Sequence, residues 1–312
     1  MPPILQPAPI DIATWREDEE FFRYPEGARV KRAVFPAGDG NLEFLRPERR
    51  HLFKKSRRAF PDQYWAEVVA YHVGSHLGID VPPAYAAWDS RTGECGALIE
   101  WFYVDGQAAF VPGGLFMQQF LKDYDRKVGR QHNFHTVRVV SRTLYQQAKG
   151  DDWQLWWAKT FLFDALIGNT DRHQDNWGFL FTTVDGSIHI AMAPCYDHGT
   201  ALGHERFTDR VAQWKQEDYE RYISKGRHHM KWLLEDADRP GMVEMVAHIC
   251  AATPRLTAPL VQMVGQMDLS KIEHSMTEWG KFALPVPLDK ARWQFMLALL
   301  KMRLEQLRNA LV

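Results

Sequence analysis

The chain has 312 residues, of which 46% are hydrophobic and 25% are charged, a composition that excludes disordered and fibrous proteins. Lys and Arg together number 38 and Asp and Glu 39, so the net charge of -1 creates no overall attraction to nucleic acid, and we expect no direct nucleic-acid binding. The three cysteines are isolated, apolar runs of 18 residues are absent, and the N-terminus lacks the basic start of a signal peptide. We therefore expect a cytoplasmic protein without a membrane span.

Residues 25–104 alternate between strand-like and helical patterns and follow an N-terminal arm of residues 1–24. Apolar segments at 31–37 and 41–45 flank the turn sequence Gly38-Asp39-Gly40, which predicts a hairpin. Further strands are predicted at 51–54, 84–88 and 96–102, and a helix is predicted from Pro61 to Leu77. This part of the chain is therefore expected to form a small sheet with one helix.

Residues 105–312 have mostly helical patterns. Helices are predicted within 115–148, with a break at Gly129, at 152–167, which is apolar on nearly all sides, and at 289–311, where Asp289 is the N-cap. Strands at 177–183 and 187–193 form a hairpin across the turn Asp185-Gly186. We therefore predict an α+β protein of two lobes, a small β-rich N-lobe at 25–104 and a larger helical C-lobe at 105–312.

A polar loop follows the most apolar helix, and its side chains have the spacing of a kinase catalytic loop. Asp171 and Asn176 are five residues apart, like the kinase aspartate that accepts the substrate's hydroxyl proton and the asparagine that binds metal. Asn176 precedes the predicted hairpin and Asp197 follows it, so folding of the hairpin should make them neighbours. An amide and a carboxylate oxygen suit Mg²⁺ that carries phosphate rather than zinc.

A kinase site also needs a cation that holds the phosphates of the nucleotide. Lys54 ends a short apolar strand, and Glu67 lies on the helix that follows. This order matches the ion pair that joins a strand lysine to a helix glutamate in kinases. Lys55 is the alternative to Lys54, because neighbouring strand residues point to opposite faces of a sheet.

These motifs together resemble the HipA-like kinases, the toxin kinases of bacterial toxin–antitoxin modules and their relatives. The most specific match is the catalytic loop Asn169-Thr170-Asp171-Arg172-His173-x-x-Asn176-Trp177-Gly178, which is also similar to that of phosphatidylinositol kinases. The weaker matches are the phosphate loop Glu26–Lys31, the lysine strand His51–Lys54, the helix start Trp65-Ala66-Glu67, the hinge Leu98–Phe102 and the metal-binding Tyr196-Asp197.

The resemblance implies a bilobal protein-kinase-like fold that uses ATP and Mg²⁺. It assigns catalytic roles to Asp171, Lys54 and Glu67, and metal binding to Asn176 and Asp197. The residues expected to bind the nucleotide are Gly27, Ala28, Arg29, Lys31, Lys54, Glu100, Trp101, Phe102 and His173. We also interpret His173 as a brace of the catalytic loop.

The resemblance also implies the kind of acceptor, a protein partner and the type of family member. The expected acceptor is Ser or Thr of a protein, with a translation-related target as one example, and an antitoxin is an expected partner. About 24 residues precede the phosphate loop, which implies a short, kinase-only member of the family. Residues 26–31 contain no Ser or Thr, whereas many members autophosphorylate a serine there.

Two alternatives remain open, and a third is disfavoured. A phosphatidylinositol or small-molecule kinase would share the Asp-Arg-His-x-x-Asn core. A non-catalytic nucleotide-binding regulator would usually lack at least one of the five key polar residues, all of which are present here. A metal-dependent phosphohydrolase would combine His173, His198 and His204 with nearby aspartates, but Asp197 precedes His198, the reverse of the order that such enzymes use.

Overall fold

A computed structural model describes residues 3–19, 31–37, 42, 44–46, 48–203 and 207–311. The strands, in chain order, are β1 (Ile10–Asp11), β2 (Arg16–Glu17), β3 (Lys31–Phe35), β4 (His51–Lys55), β5 (Ala84–Asp89), β6 (Glu94–Glu100), β7 (Ala108–Pro112), β8 (Lys149–Gly150), β9 (Gly178–Val184) and β10 (Ser187–Met192). The helices are α1 (Tyr64–Leu77), α2 (Gly113–Phe120), α3 (Phe134–Gln147), α4 (Trp153–Ile167), α5 (Thr208–Val211), α6 (Gln216–Ser224), α7 (Met242–Ala252), α8 (Thr257–Gln266), α9 (Leu269–Trp279) and α10 (Lys290–Leu311).

The N-lobe is a six-stranded sheet in the order β1-β5-β6-β4-β3-β2. Its four central strands pair antiparallel, and the N-terminal arm supplies both edge strands. Ile10 of β1 lies opposite Ala87 in a parallel pair, and Arg16 of β2 lies opposite Phe35 in an antiparallel pair. The arm is further held by Gln6, whose side-chain amide exchanges two hydrogen bonds of 2.8 Å with the backbone of Ala86.

The predicted strand at 41–45 is wrong for the residues that are described there. Phe44 and Leu45 lie in a turn, in which the Leu45 amide donates to the Leu42 carbonyl at 2.8 Å. Their apolar side chains serve core packing instead of a strand ladder, since Leu45 is buried and Phe44 packs on Tyr85. β3 therefore pairs with β4, and the predicted turn at 38–40 lies outside the described residues.

Helix α1 packs between the sheet and the helical lobe. It begins three residues after Pro61 and ends at Gly78, whose φ of 69° is the left-handed conformation that glycine adopts readily. Nearly every position of α1 is buried, because the helix packs on β5 and β6 on one side and on helices of the C-lobe on the other, where Trp65 stacks on Trp279 of α9 at 6.2 Å between ring centroids. The helix is thus held from two sides, which fixes the position of any side chain it carries.

The C-lobe surrounds α4, which packs against α7 and α10. A second sheet, in the order β7-β9-β10-β8, lies in the same lobe. Its central hairpin has the predicted register, with Val184 opposite Ser187 across the Asp185-Gly186 turn, whereas β7 and β8 were not predicted. In the described ranges, none of the helices is both long and apolar enough to cross a membrane.

A buried histidine of α1 predicts a pH-dependent stability. Burial lowers the pKa of His72 to about 3, so the unfolded chain binds more protons than the folded one between about pH 3 and pH 6.5. Stability should therefore fall as the pH falls through this window. From pH 7 to pH 5, the wild type should lose about 2 kcal/mol more free energy of unfolding than His72→Gln, measured by urea denaturation. Parallel losses in the two proteins would contradict the prediction.

Candidate active site

A strand and a helix of the N-lobe bring a lysine and a glutamate together with an aspartate of the C-lobe. The Lys54 Nζ donates to Glu67 Oε1 and to Asp197 Oδ1, both at 2.7 Å. Lys54 and Glu67 are buried, whereas the Asp197 side chain is 34% exposed. Lys55 points to the other face and pairs with Glu94 at 2.5 Å. Of the two lysines that the sequence left open, Lys54 is therefore the one that lies in this cluster.

The backbone after the hairpin is also attached to α1. The second carboxylate oxygen of Glu67, Oε2, accepts from the His198 amide at 2.9 Å. Asp197 has a φ of 60°, a left-handed conformation that is uncommon outside glycine and aims its carboxylate at Lys54. Burial lowers the pKa of the adjacent His198 to about 4, so this ring is neutral at pH 7. Glu67 thus fixes both the lysine and the chain beside Asp197.

The polar loop after α4 is ordered by its own side chains. Gly168 ends α4 with a φ of 67°, and the Asn169 side chain turns back to donate to Asp164 Oδ1 at 3.0 Å. The amide of Asp171 donates to Asn169 Oδ1 at 3.2 Å. Asn176, which is buried, donates from Nδ2 to the Asp171 carbonyl at 2.7 Å. The two loop residues of the predicted site are therefore attached to each other.

A fully buried ion pair connects this loop to the end of the hairpin. Arg172 binds Asp164 with two parallel bonds, Nη2 to Oδ1 at 2.7 Å and Nε to Oδ2 at 2.9 Å. Its Nη1 donates to the carbonyls of Asn176 at 2.7 Å and Tyr196 at 2.9 Å. One guanidinium thereby brings together the chain at Asn176 and the chain before Asp197, which the hairpin alone was expected to do.

The electrostatics of this pair follow from competition between burial and charge. Burial alone would raise the pKa of Asp164, but the charge and hydrogen bonds of Arg172 outweigh it and hold that pKa well below its usual value. Asp164 is not among the predicted site residues. The available signal was that it is the sole acidic residue of an otherwise apolar helix, because a carboxylate buried in that way needs a partner.

The predicted hinge lies where β6 leaves the sheet. The Glu100 carboxylate pairs with Arg49 at 3.3 Å and with Arg46 at 3.5 Å, and its amide donates to Pro83. The Trp101 amide donates to the Arg50 carbonyl at 2.9 Å. These amides of the hinge are therefore already used within the protein.

Aromatic rings follow the hinge. The Phe102 ring stacks on that of Tyr196 with 5.4 Å between centroids and 22° between planes, next to Phe110. The Tyr196 hydroxyl donates to the Asp175 carbonyl at 2.7 Å. Tyr196 was not selected as a site residue, although it directly precedes Asp197 and connects the hinge ring to the catalytic loop.

The remaining predicted nucleotide-binding residues are placed as follows. Lys31 lies directly opposite Lys54 in the β3–β4 ladder, so both side chains leave the same face. Gly27, Ala28 and Arg29 lie outside the described residues. His173 contacts its own loop, since its Nδ1 accepts from the Asp175 amide at 3.1 Å. This contact is the bracing interaction that the sequence suggested for it.

The donors beside Lys54 fit a hard cation that shares its ligands with phosphate. Asn176 and Asp197 offer oxygen atoms only, and Mg²⁺ in kinases and ATPases is bound by one or two carboxylates together with phosphate and water. Within the described ranges, no group of three or more His, Cys, Asp or Glu side chains could hold a metal ion. The oxygen donors of Asn176 and Asp197 themselves suit a hard cation that is delivered with a nucleotide.

Comparison with known families identifies the fold. The HipA-like C-terminal domain family matches residues 25–257, which is more than half of the chain and includes the whole site. The chain belongs to this family. It is accordingly a HipA-like kinase by family, and the α+β fold with a curled sheet and a helical lobe agrees with this membership. No curated protein sequence matches it significantly.

Solved structures are similar to this chain at low sequence identity. The Helicobacter pylori proinflammatory kinase CtkA is 16% identical, with 97% of this chain and 96% of that chain covered and a TM-score of 0.73. Fam20 from hydra, solved with sugar, is 14% identical, with 92% and 82% covered and a TM-score of 0.50. HipA of Shewanella oneidensis, solved with HipB and operator DNA, is 15% identical, with 97% and 75% covered and a TM-score of 0.49.

Proposed function

We propose that this HipA-like kinase transfers the γ-phosphoryl group of ATP, with Mg²⁺, to Ser or Thr hydroxyls of a protein. The observation that carries the proposal is the pair of hydrogen bonds from the Lys54 ammonium to Glu67 and Asp197, beside the loop that contains Asp171 and Asn176. Phosphoryl transfer is catalysed mainly by positioning and by charge stabilisation, and the cluster offers one cation for the phosphates and oxygen ligands for a metal.

Each residue has a role that its contacts support. Glu67 orients Lys54, whose ammonium binds phosphate oxygens. Asn176 and Asp197 would hold Mg²⁺, and the bound ion would neutralise charge on the phosphates. Asp171 accepts the proton of the attacking hydroxyl, and its position is set by Asn169 and Asn176. Lys31, on the same face as Lys54, adds a second positive charge near the phosphates.

The adenine is proposed to bind at the hinge beside the stacked rings of Phe102 and Tyr196. Because the amides of Glu100 and Trp101 bond to the protein, the amide of Phe102 is the hinge donor that we assign to adenine. Tyr196 would then contact the nucleotide at one end and hold the catalytic loop through its hydroxyl at the other.

The acceptor class is tested by incubating the purified protein with γ-labelled ATP, Mg²⁺, a cell lysate and vesicles that contain phosphatidylinositol. We expect labelled protein bands that yield phosphoserine or phosphothreonine after acid hydrolysis. Label in the lipid fraction alone would contradict the protein acceptor but not the kinase. An absence of any transfer, despite Mg²⁺-dependent ATP binding, would contradict the kinase itself. The expectation of an antitoxin partner remains a prediction from the family.

Substitution of Glu67, which orients Lys54, should slow phosphoryl transfer from ATP. Glu67→Gln removes the charge that holds Lys54, and hydrogen bonds to charged groups of this kind are worth about 1.5–3 kcal/mol, so the rate of label transfer at limiting ATP should fall about 10- to 100-fold. The matched control is Glu94→Gln, which breaks the equivalent pair with Lys55 on the other face of β4. Equal effects of the two substitutions would contradict the assignment of Lys54.

A further inference from the structure

A cavity of about 510 Å³ lies behind the catalytic loop. Its wall is formed by the loop at Gly168 and Thr170, the end of α6, the beginning of α7 and the last turns of α10. It shares no lining residue with the set proposed to bind ATP or metal, which is Lys54, Glu67, Asp171, Asn176 and Asp197. The cavity is therefore separate from the site described above.

A buried arginine lines this cavity without an acidic partner among the described residues. Arg303 of α10 is 6% exposed, and its Nη1 donates to the Ile167 carbonyl at 3.2 Å. Its guanidinium lies so close to Gly168 that a Cβ there would approach its Cζ to 2.2 Å. Burial lowers the pKa of Arg303 to about 10, against the opposing effect of Tyr222. A cation desolvated in this way gains most from an anion that reaches it.

Two further features of the cavity favour an anion. Arg227 lies at the rim, and its Nη1 bonds backbone carbonyls of Ser224 and Gly226 rather than a carboxylate in the described part of the chain. The 11-residue helix α7 begins at the cavity, so its N-terminal amides add partial positive charge. Glu244 is the acidic residue among those that line the cavity; its carboxylate accepts from the Gly241 amide at 2.9 Å and offsets part of the positive charge at the start of α7.

The cavity is far larger than an inorganic ion and has apolar walls. Its volume lies in the range of about 300–1,000 Å³ that is usual for small organic ligands. The apolar surface of the cavity comes from Ala165, Ile223, Met242 and Val243. We propose that this cavity binds an organic phosphate monoester, with the phosphate on Arg303 and Arg227 and the organic group on the apolar wall. This binding does not depend on the proposed phosphoryl transfer.

The test is isothermal titration of the full chain with 1-naphthyl phosphate while the ATP cleft is saturated with a non-hydrolysable ATP analogue and Mg²⁺. We expect one binding event per chain, at least about tenfold tighter than that of 1-naphthol or of inorganic phosphate. A second titration with a phosphoserine peptide distinguishes the source of the phosphate. If the peptide binds more tightly than the naphthyl ester, the natural ligand is a phosphorylated protein; if it binds more weakly, the natural ligand is a small molecule. Either source supports the proposal.

Substitutions of the two arginines test whether naphthyl phosphate binds in this cavity. Arg303→Lys keeps the charge but loses the planar pair of donors, and Arg227→Ala removes an exposed guanidinium at the rim. Each substitution should weaken naphthyl phosphate binding about tenfold. Arg221→Ala, in helix α6 and outside the cavity, is the matched control, because Arg221 is exposed like Arg227. Any of three results would overturn the proposal. These are an unchanged affinity in Arg227→Ala, displacement of naphthyl phosphate by the ATP analogue, and binding of 1-naphthol as tight as that of naphthyl phosphate.

Discussion

Replacement of Asp171 by asparagine is expected to slow phosphoryl transfer by about 10²- to 10⁴-fold, the usual contribution of a positioned general base. Asparagine keeps the size and the backbone bonds of the loop, because Asp171 is attached through its amide and carbonyl. What is lost is the carboxylate that accepts the hydroxyl proton. The affinity for ATP with Mg²⁺, measured by titration calorimetry, should therefore change by less than about threefold.

The matched control for this variant is Asp175→Asn in the same loop. Asp175 pairs with Arg126 at 2.9 Å at the loop surface, so its charge is used outside the proposed site. Transfer should fall far less in Asp175→Asn than in Asp171→Asn. Similar losses in the two variants would show that the loop responds to any lost carboxylate, and would remove the basis for assigning the proton to Asp171.

Removal of the buried carboxylate of α4 should have the largest effect on stability. Asp164→Ala leaves Arg172 charged, fully buried and without its bidentate partner, and the loss of one member of a buried pair costs about 3–5 kcal/mol. The free energy of unfolding should fall by that amount in urea denaturation. Because Arg172 also holds the carbonyls of Asn176 and Tyr196, the folded variant should transfer phosphate more slowly than its ATP affinity predicts.

An exposed ion pair provides the comparison for this effect. Glu273 pairs with Lys301 at 3.4 Å with both side chains largely in solvent, so Glu273→Ala should change the free energy of unfolding by less than about 1 kcal/mol. A loss in Asp164→Ala no greater than that in Glu273→Ala would mean that Arg172 is compensated by other groups, and that the pair does not hold the two chain segments together.

The parts of the fold that the sequence predicted are those governed by local rules. The register of β9 and β10 follows from Asp185-Gly186, since both residues adopt the positive φ that this two-residue turn requires. Helix α10 follows from its apolar spacing and from Asp289, whose carboxylate accepts from the Arg292 amide at 2.8 Å.

The parts that it did not predict depend on distant neighbours. The segment at 41–45 has an apolar pattern that a strand would also show, and only its packing on Tyr85 decides against a strand. β1 adds in parallel to β5 across more than 70 residues, which no local pattern indicates. The choice between Lys54 and Lys55 likewise needed the position of α1, because the two lysines are equivalent in sequence but face opposite sides of β4.

The most direct measurement is the transfer of γ-labelled phosphate to protein at increasing Mg²⁺, compared between the wild type and Asp197→Asn. Asp197 is the carboxylate that the structure places on Lys54, and it is proposed to hold the metal with Asn176. Transfer by the wild type should require Mg²⁺, and transfer by Asp197→Asn should be at least about 100-fold slower at saturating Mg²⁺. Undiminished, Mg²⁺-dependent transfer by Asp197→Asn would contradict the proposed site.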